Sequence, residues 1–155
     1  MQNKRRVNVR AVIVRGNTVL AVKHKDEDGV ENEYWATPGG GLDPHESLQD
    51  GVKREVMEEL GVEATVGKLL FIQQFPSGRT GFDEELELLF LVEDSPEYDT
   101  IDLSKTSHGA LELGGYAFVD PKKVSIKPDF LSEIDLVDYA QNERTPYLFN
   151  ELNTI

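Results

Sequence analysis

The 155-residue chain contains no cysteine, which excludes disulfides, a thiolate nucleophile and any cysteine-ligated zinc. It has no uninterrupted apolar run near the roughly 20 residues that a membrane-spanning helix needs. Its three histidines, His24, His45 and His108, show neither the HxH nor the HExxH spacing of a histidine-bound zinc site. Positive charge is scarce: 16 Lys and Arg stand against 29 Asp and Glu, for a formal net charge of −13. Such a surface repels the phosphate backbone of long DNA or RNA. The one basic cluster, Lys4-Arg5-Arg6 followed by Arg10, reads as a solvated terminal arm. An alternating strand follows it in place of a signal-peptide apolar core, so the cytoplasm is the expected compartment. No repeat, low-complexity tract or linker interrupts the chain. With 39% hydrophobic and 29% charged residues, it reads as one globular domain over residues 1–155.

What the chain does have is acid concentrated beside glycine. Gly39-Gly40-Gly41 is followed by Glu46 and then by Arg54-Glu55-Val56-Met57-Glu58-Glu59-Leu60-Gly61. Glu55, Glu58 and Glu59 stand at helical offsets of three and four, on one side of a helix. With Leu48 at zero and 100° per residue, the apolar stripe Leu48, Val52, Val56, Leu60 spans roughly 0° to 120°. Glu59 falls near ~20°, Glu55 near ~340° and Glu58 near ~280°. Most Glu-rich helices simply present a solvated charged face. Here Glu59 lies within the buried stripe and Glu55 at its edge, where a carboxylate is costly unless paired or metal-bound. A hard divalent cation, with oxygen ligands and a phosphate sharing the metal, is the simplest account. The three glycines give a loop whose backbone amides can approach that phosphate.

The rest of the chain reads as mixed α/β. Val7 to Val14 alternates as a strand, Gly16-Asn17 is a hairpin turn and Thr18 to Lys23 is the returning strand. His24 to Glu33 is a polar loop, and Tyr34 to Thr37 is a short strand. Asp43 is expected to cap the helix, with Pro44 at its first position and Glu46 completing a capping box. Gly61 closes it, and Gly51 within it suggests close packing against a sheet. Glu63 to Phe75 and Glu85 to Glu93 are strands separated by a turn from Pro76 to Gly81. Asp94 to Glu112 is irregular, Gly115 to Val119 is a last strand, and Asp120-Pro121 begins a helical turn through Val124. Phe130, Leu131, Ile134, Val137 and Tyr139 suggest a C-terminal amphipathic helix.

Gly40 to Val62 resembles the Nudix box, G-x5-E-x7-R-E-U-x-E-E-x-G-U with U aliphatic, at all nine specified positions within 23 residues. The surrounding order of elements, from about Val7 to Asp120, is similar to that of the MutT-like Nudix hydrolases. The resemblance implies an α/β/α sandwich with a mixed sheet between helices. It implies Mg²⁺- or Mn²⁺-dependent cleavage of a pyrophosphate linkage in a small phosphorylated nucleotide, and many such proteins form homodimers. It makes Glu58 and Glu59 metal ligands, and Glu55 a third ligand or the base for the attacking water. Arg54 steadies these carboxylates, a role that suits its planar fork, unless it is only an exposed salt bridge to Glu58. Gly39, Gly40 and Gly41 become substrate-binding. Glu46, which the capping box alone explains, supports or joins the metal site.

The resemblance also implies an acid from outside the box at the metal. Glu112 fits best by position, with Glu84 and Glu85 as rivals. Tyr34, Trp35 and Phe82 are candidates to stack on a base, although aromatics beside strands are more often core. Pro76, fourteen residues past Val62, and the stretch Thr80 to Phe90 are similar to features of the ADP-ribose-cleaving branch, so a nucleoside diphosphate sugar is favoured. The alternatives are a MutT-type nucleoside triphosphate pyrophosphohydrolase and a non-catalytic nucleotide-sensing module. The second is disfavoured because no box carboxylate is missing. The related isopentenyl diphosphate isomerase needs a catalytic cysteine, which this chain lacks.

Overall fold

A computed structural model describes residues 4–152. Strand β1 (Arg5–Arg15) organises it. Alternation sends Val9, Ala11 and Ile13 to one face, where all three are fully buried, and Val12 to the other. Strand β2 (Thr18–His24) returns through the Gly16-Asn17 turn, β3 is Trp35–Ala36 and β4 is Gly39–Gly41. After helix α1 (Leu48–Leu60), β5 (Val66–Pro76) and β6 (Glu84–Val92) form an antiparallel pair. β7 (Leu113–Val119), β8 (Ile126–Lys127) and β9 (Tyr147–Asn150) complete a mixed sheet in the order β8-β3-β2-β1-β6-β5-β9, with β4 on β1 and β7 on β2.

One edge of β1 runs parallel to β6 over residues 5–13. Its other edge is shared, with β4 on residues 8–10 and β2 on residues 14–15. The sheet therefore divides at β1, and this division opens a cleft beside β4. Helix α1 packs Val52, Val56 and Leu60 onto the odd face of β1. The opposite face is covered by a 3₁₀ turn (Asp129–Ser132) and helix α3 (Leu136–Gln141) around Phe71 and Leu89. This is the α/β architecture with helices on both faces of a mixed sheet. Among the described residues, no helix is long and apolar enough to cross a membrane.

Several local expectations change. Ser47, not Asp43, caps α1: its side chain accepts from the Asp50 amide at 3.1 Å. His45 takes a left-handed φ of 63°, so no helix can run through Pro44 to Glu46. Half of the expected capping box survives as a turn, in which Glu46 accepts from the Asp43 amide at 3.2 Å. Gly61 closes α1 with φ 71° and donates to the Met57 carbonyl at 3.0 Å, a left-handed cap. Gly51 packs against the sheet as expected, since a Cβ there would meet Val9 Cγ2 of β1 at 3.1 Å, and Leu42 Cδ1 of the loop after β4 at 2.6 Å.

The C-terminal helix is broken. Asp135 caps a new start by accepting from the Asp138 amide at 3.1 Å, so Phe130 and Leu131 belong to the preceding turn. Strand β9, which local patterning does not reveal, is fastened by Phe149 stacked on Phe130 with ring centroids 3.8 Å apart.

Within 94–112, two 3₁₀ turns (Pro96–Asp99 and Leu103–Lys105) lead to the short helix α2 (Gly109–Glu112). Tyr98 in the first turn is 1% exposed. Burial first, then Glu97 and Asp94, push its hydroxyl up to about 12. A group whose pKa is raised by folding contributes its full stability below its unfolded value near ~10 and loses it as pH climbs from there through the folded value. The shift corresponds to roughly 2–3 kcal/mol. Tyr98→Phe is therefore expected to flatten the fall of the urea midpoint between about pH 10 and 12. An unchanged fall would show that this hydroxyl does not contribute.

Candidate active site

Helix α1 delivers its acids where the wheel puts them. Glu59 is 2% exposed and Glu55 9%, while Glu58 stands nearer the cleft mouth with a quarter of its side chain exposed. Arg54 gathers three of the acids. Its Nε and Nη2 donate to the two oxygens of Glu46 at 2.8 and 2.9 Å, a bidentate fork. Its Nη1 donates to Glu55 Oε1 at 2.9 Å and Glu58 Oε2 at 3.3 Å, and Nη2 also reaches the Gly41 carbonyl at 2.9 Å. Arg54 is thus a hub, not merely an exposed partner of Glu58. The Arg54 hydrogen bond holds the Glu46 carboxyl below its usual range. Burial, and then the neighbouring charge of Glu59, push Glu55 up despite Arg54.

Glu59 is served least. His24 Nε2 lies 3.8 Å from its Oε1, and its buried Oε2 has no hydrogen-bond partner among the described residues. A buried carboxylate oxygen left in that state is costly. An all-oxygen donor set beside it suits a hard divalent cation, so the residues fit such an ion in chemistry. The site is not drawn together around one point: among the described residues, no group of three or more His, Asp or Glu side chains has metal-holding geometry.

The glycines form strand β4 rather than the expected loop, paired to Asn8, Val9 and Arg10 of β1. A Cβ on Gly40 would meet Glu55 Oε1 at 2.9 Å, and one on Gly41 would meet Arg6 Nη2 at 2.9 Å. Bare backbone here is what lets the Glu55 carboxylate and the Arg6 guanidinium approach.

These groups line a cleft of about 1150 Å³. His108, at the start of α2, brings Nδ1 to 3.1 Å from Glu58 Oε2, with Glu112 3.9 Å beyond it. Glu112 therefore faces the cleft through His108, its side chain half exposed. Glu84 pairs with Arg5 instead. Glu85 is buried in the cleft floor with Glu87, each 5% exposed. Asn8 Nδ2 donates to Glu85 at 2.9 Å and Glu87 at 3.3 Å, and Arg10 Nε donates to Glu87 at 2.8 Å. Arg6 and Arg10 are thus not a solvated arm; both line the cleft. Tyr34 lines it as well, whereas Trp35 packs with the core and Phe82 is exposed. Sequence reasoning missed Asn8, Arg10, Glu87 and His108. The alternating Asn8-x-Arg10 and Glu85-x-Glu87 was the available signal for the first three.

Comparison with known proteins gives this arrangement its class. The NUDIX domain model matches residues 4–138, so the chain belongs to the NUDIX family and is a hydrolase of the pyrophosphatase type. It is 25% identical over 131 residues to the nucleoside triphosphatase NudI of Salmonella paratyphi B, covering 79% of this chain and 87% of that one. Its fold is similar to that of a UDP-X diphosphatase (TM-score 0.67, 21% identity, 94% of this chain and 67% of that chain). It is also similar to an ADP-ribose pyrophosphatase from Streptococcus suis (TM-score 0.60, 18% identity, 93% and 98%). Nudix hydrolases generally use divalent metal ions and act on small nucleotide substrates.

Proposed function

We propose that the protein, acting as one domain over its length, hydrolyses the pyrophosphate bond of a nucleoside diphosphate joined to a second group such as a sugar. The observation that carries this reading is Glu59, buried with an oxygen that no described residue partners, beside the largely buried Glu55 at the head of a large cleft. Glu55, Glu58 and Glu59 would hold Mg²⁺ or Mn²⁺, with Glu112 as a further ligand from outside the helix. The cation would draw charge from the phosphate oxygens and make the attacking water more acidic.

Arg54 positions Glu55 and Glu58. Glu46, bidentate to Arg54, orients that guanidinium and is not needed as a ligand. Glu55 is the favoured proton acceptor by position, inward at the head of the cleft beside Gly40, in which case Glu58 and Glu59 carry the cation. Water adds to one phosphorus, the anhydride P–O bond breaks, and the proton passes to Glu55. Gly39, Gly40 and Gly41 leave room for the phosphates against β4.

The cleft volume exceeds that of most small-ligand pockets, about 300–1,000 Å³, which suits an extended two-part substrate. Pro76 and the entry to β6 lean the same way, towards ADP-ribose or a nucleotide sugar. A nucleoside triphosphate is the second reading, favoured by the similarity to a relative named as a nucleoside triphosphatase. Product analysis over ADP-ribose, UDP-sugars and nucleoside triphosphates, with Mg²⁺, Mn²⁺ or EDTA, tests both. Metal-dependent release of a nucleoside monophosphate and a sugar phosphate is expected. Pyrophosphate release from triphosphates alone would select the second reading, and no metal-dependent turnover would overturn both.

A further inference from the structure

One arginine of the cleft differs from the others. Arg10 is held by Glu87, Arg54 by Glu46, and Arg79 Nε lies 3.6 Å from Glu85. The Arg6 guanidinium forms no hydrogen bond or ion pair with a described residue, yet it is half-buried and pressed against Gly41. Its register partner on β6 is Glu85, whose two oxygens already accept from Asn8 at 2.9 Å and Ser77 at 3.1 Å. Burial and the nearby Arg79 charge hold the Arg6 pKa below its usual value, and the charges of Glu85 and Glu55 only partly offset them. A half-buried cation crowded by a second cation is unfavourable unless an anion lies between them.

The placement says which anion. Successive residues of a strand face opposite sides. Gly40 meets Glu55 and Gly41 meets Arg6, so carboxylate and guanidinium flank β4 from its two faces. Within the shared cleft, the Arg6 guanidinium therefore stands against a different β4 residue from the one that faces the α1 carboxylates.

We infer that Arg6, assisted by Arg79, forms an anion subsite for a phosphate or carboxylate that the substrate carries outside its scissile pyrophosphate. This rests on the pyrophosphohydrolase reading above and narrows it to nucleotides with an extra negative charge on the second group or on the ribose. A guanidinium offers two parallel donors to either anion.

The test pairs each charged compound with its neutral counterpart: UDP-glucuronic acid with UDP-glucose for a carboxylate, and NADP with NAD for a ribose phosphate. Turnover is measured with Mg²⁺, and binding by calorimetry in EDTA. The wild-type protein is expected to favour the charged member of at least one pair by about tenfold or more, as a charge-assisted hydrogen bond allows. Which pair responds identifies the anion. Arg6→Gln should bring that ratio to near unity, Arg6→Lys should retain part of it, and Arg5→Gln, at an exposed residue paired with Glu84, should leave it unchanged.

Equal affinity for both members of both pairs in the wild type would overturn the subsite. So would an equal loss for charged and neutral compounds in Arg6→Gln, which would place Arg6 on the scissile pyrophosphate, or the same loss in Arg5→Gln, which would make the effect one of overall charge. If none of the four compounds is hydrolysed but the binding ratio and its response to Arg6→Gln persist, the hydrolase reading fails for these compounds and the subsite stands.

Discussion

Glu59→Gln is expected to reduce metal-dependent turnover by on the order of 10³, because under the proposed function it removes a ligand and with it several kcal/mol of electrostatic stabilisation of the reacting phosphate. The substitution is nearly isosteric and sits in a residue only 2% exposed, so packing is preserved. The metal-free protein should melt no lower than wild type. Glu59 has one oxygen without a partner among the described residues and raises the pKa of Glu55, so neutralising it removes repulsion within the buried pair. The contrast comes on adding Mg²⁺. A ligand that binds only the folded state raises its melting temperature, and that rise should shrink in Glu59→Gln. Turnover within tenfold of wild type, together with an undiminished Mg²⁺ response, would remove Glu59 from the metal site.

The second large effect is structural. In Gly39→Ala the new Cβ would fall 2.8 Å from the Arg10 Cα and closer still to the Val9 carbonyl oxygen. Both are backbone atoms of β1, so neither can swing aside like the end of a side chain. The residue also holds φ at 151°, a region that L side chains rarely adopt. Overpacking and backbone strain each cost about 1–3 kcal/mol, so a loss of roughly 3–5 kcal/mol is expected, from a total that is typically 5–15. The urea midpoint reads this directly. Gly78→Ala is the control, since nothing lies within 4 Å of a Cβ there, and it should unfold close to wild type. Coincident midpoints for Gly39→Ala and wild type would show that β4 can move away from β1 at little cost. If the strand does move, Gly40 leaves Glu55 and activity falls although stability does not.

The acidic half of the site was legible because a helix is a local object. Offsets of three and four residues are enough to put Glu59 in the buried stripe and Arg54 within reach of Glu55 and Glu58. The cleft floor was not. Asn8 meets Glu85 across 77 residues and Arg10 meets Glu87 across 77. Only the parallel register of β1 and β6 joins them. The alternation within each strand shows that Arg6, Asn8 and Arg10 share a face, but not what that face looks onto, and a basic arm was the reading that followed. The missing C-terminal strand has a similar cause. Nothing near Phe149 in the chain announces Phe130 as its stacking partner. Conversely, the apolar spacing from Phe130 to Tyr139 was real but could not show that Asp135 would restart the helix. The Nudix fold and the hydrolase class followed from the box and its surroundings. The substrate depends on non-local groups, and those the sequence left apart.

The two faces of β1 set a constraint on the protein's history. Val9, Ala11 and Ile13 belong to the hydrocarbon interior, Arg6 and Arg10 line the cleft, and Asn8 holds the acids of its floor, so the role changes from each residue to the next between Asn8 and Ala11. A one-residue slip of β1 against β6 would exchange them all at once, driving guanidinium groups into the interior and leaving aliphatic side chains facing the cleft. Insertions and deletions in this strand are therefore barred from both sides. Change can reach the recognition surface only by point substitution at every second position, and that leaves the scaffold beneath untouched.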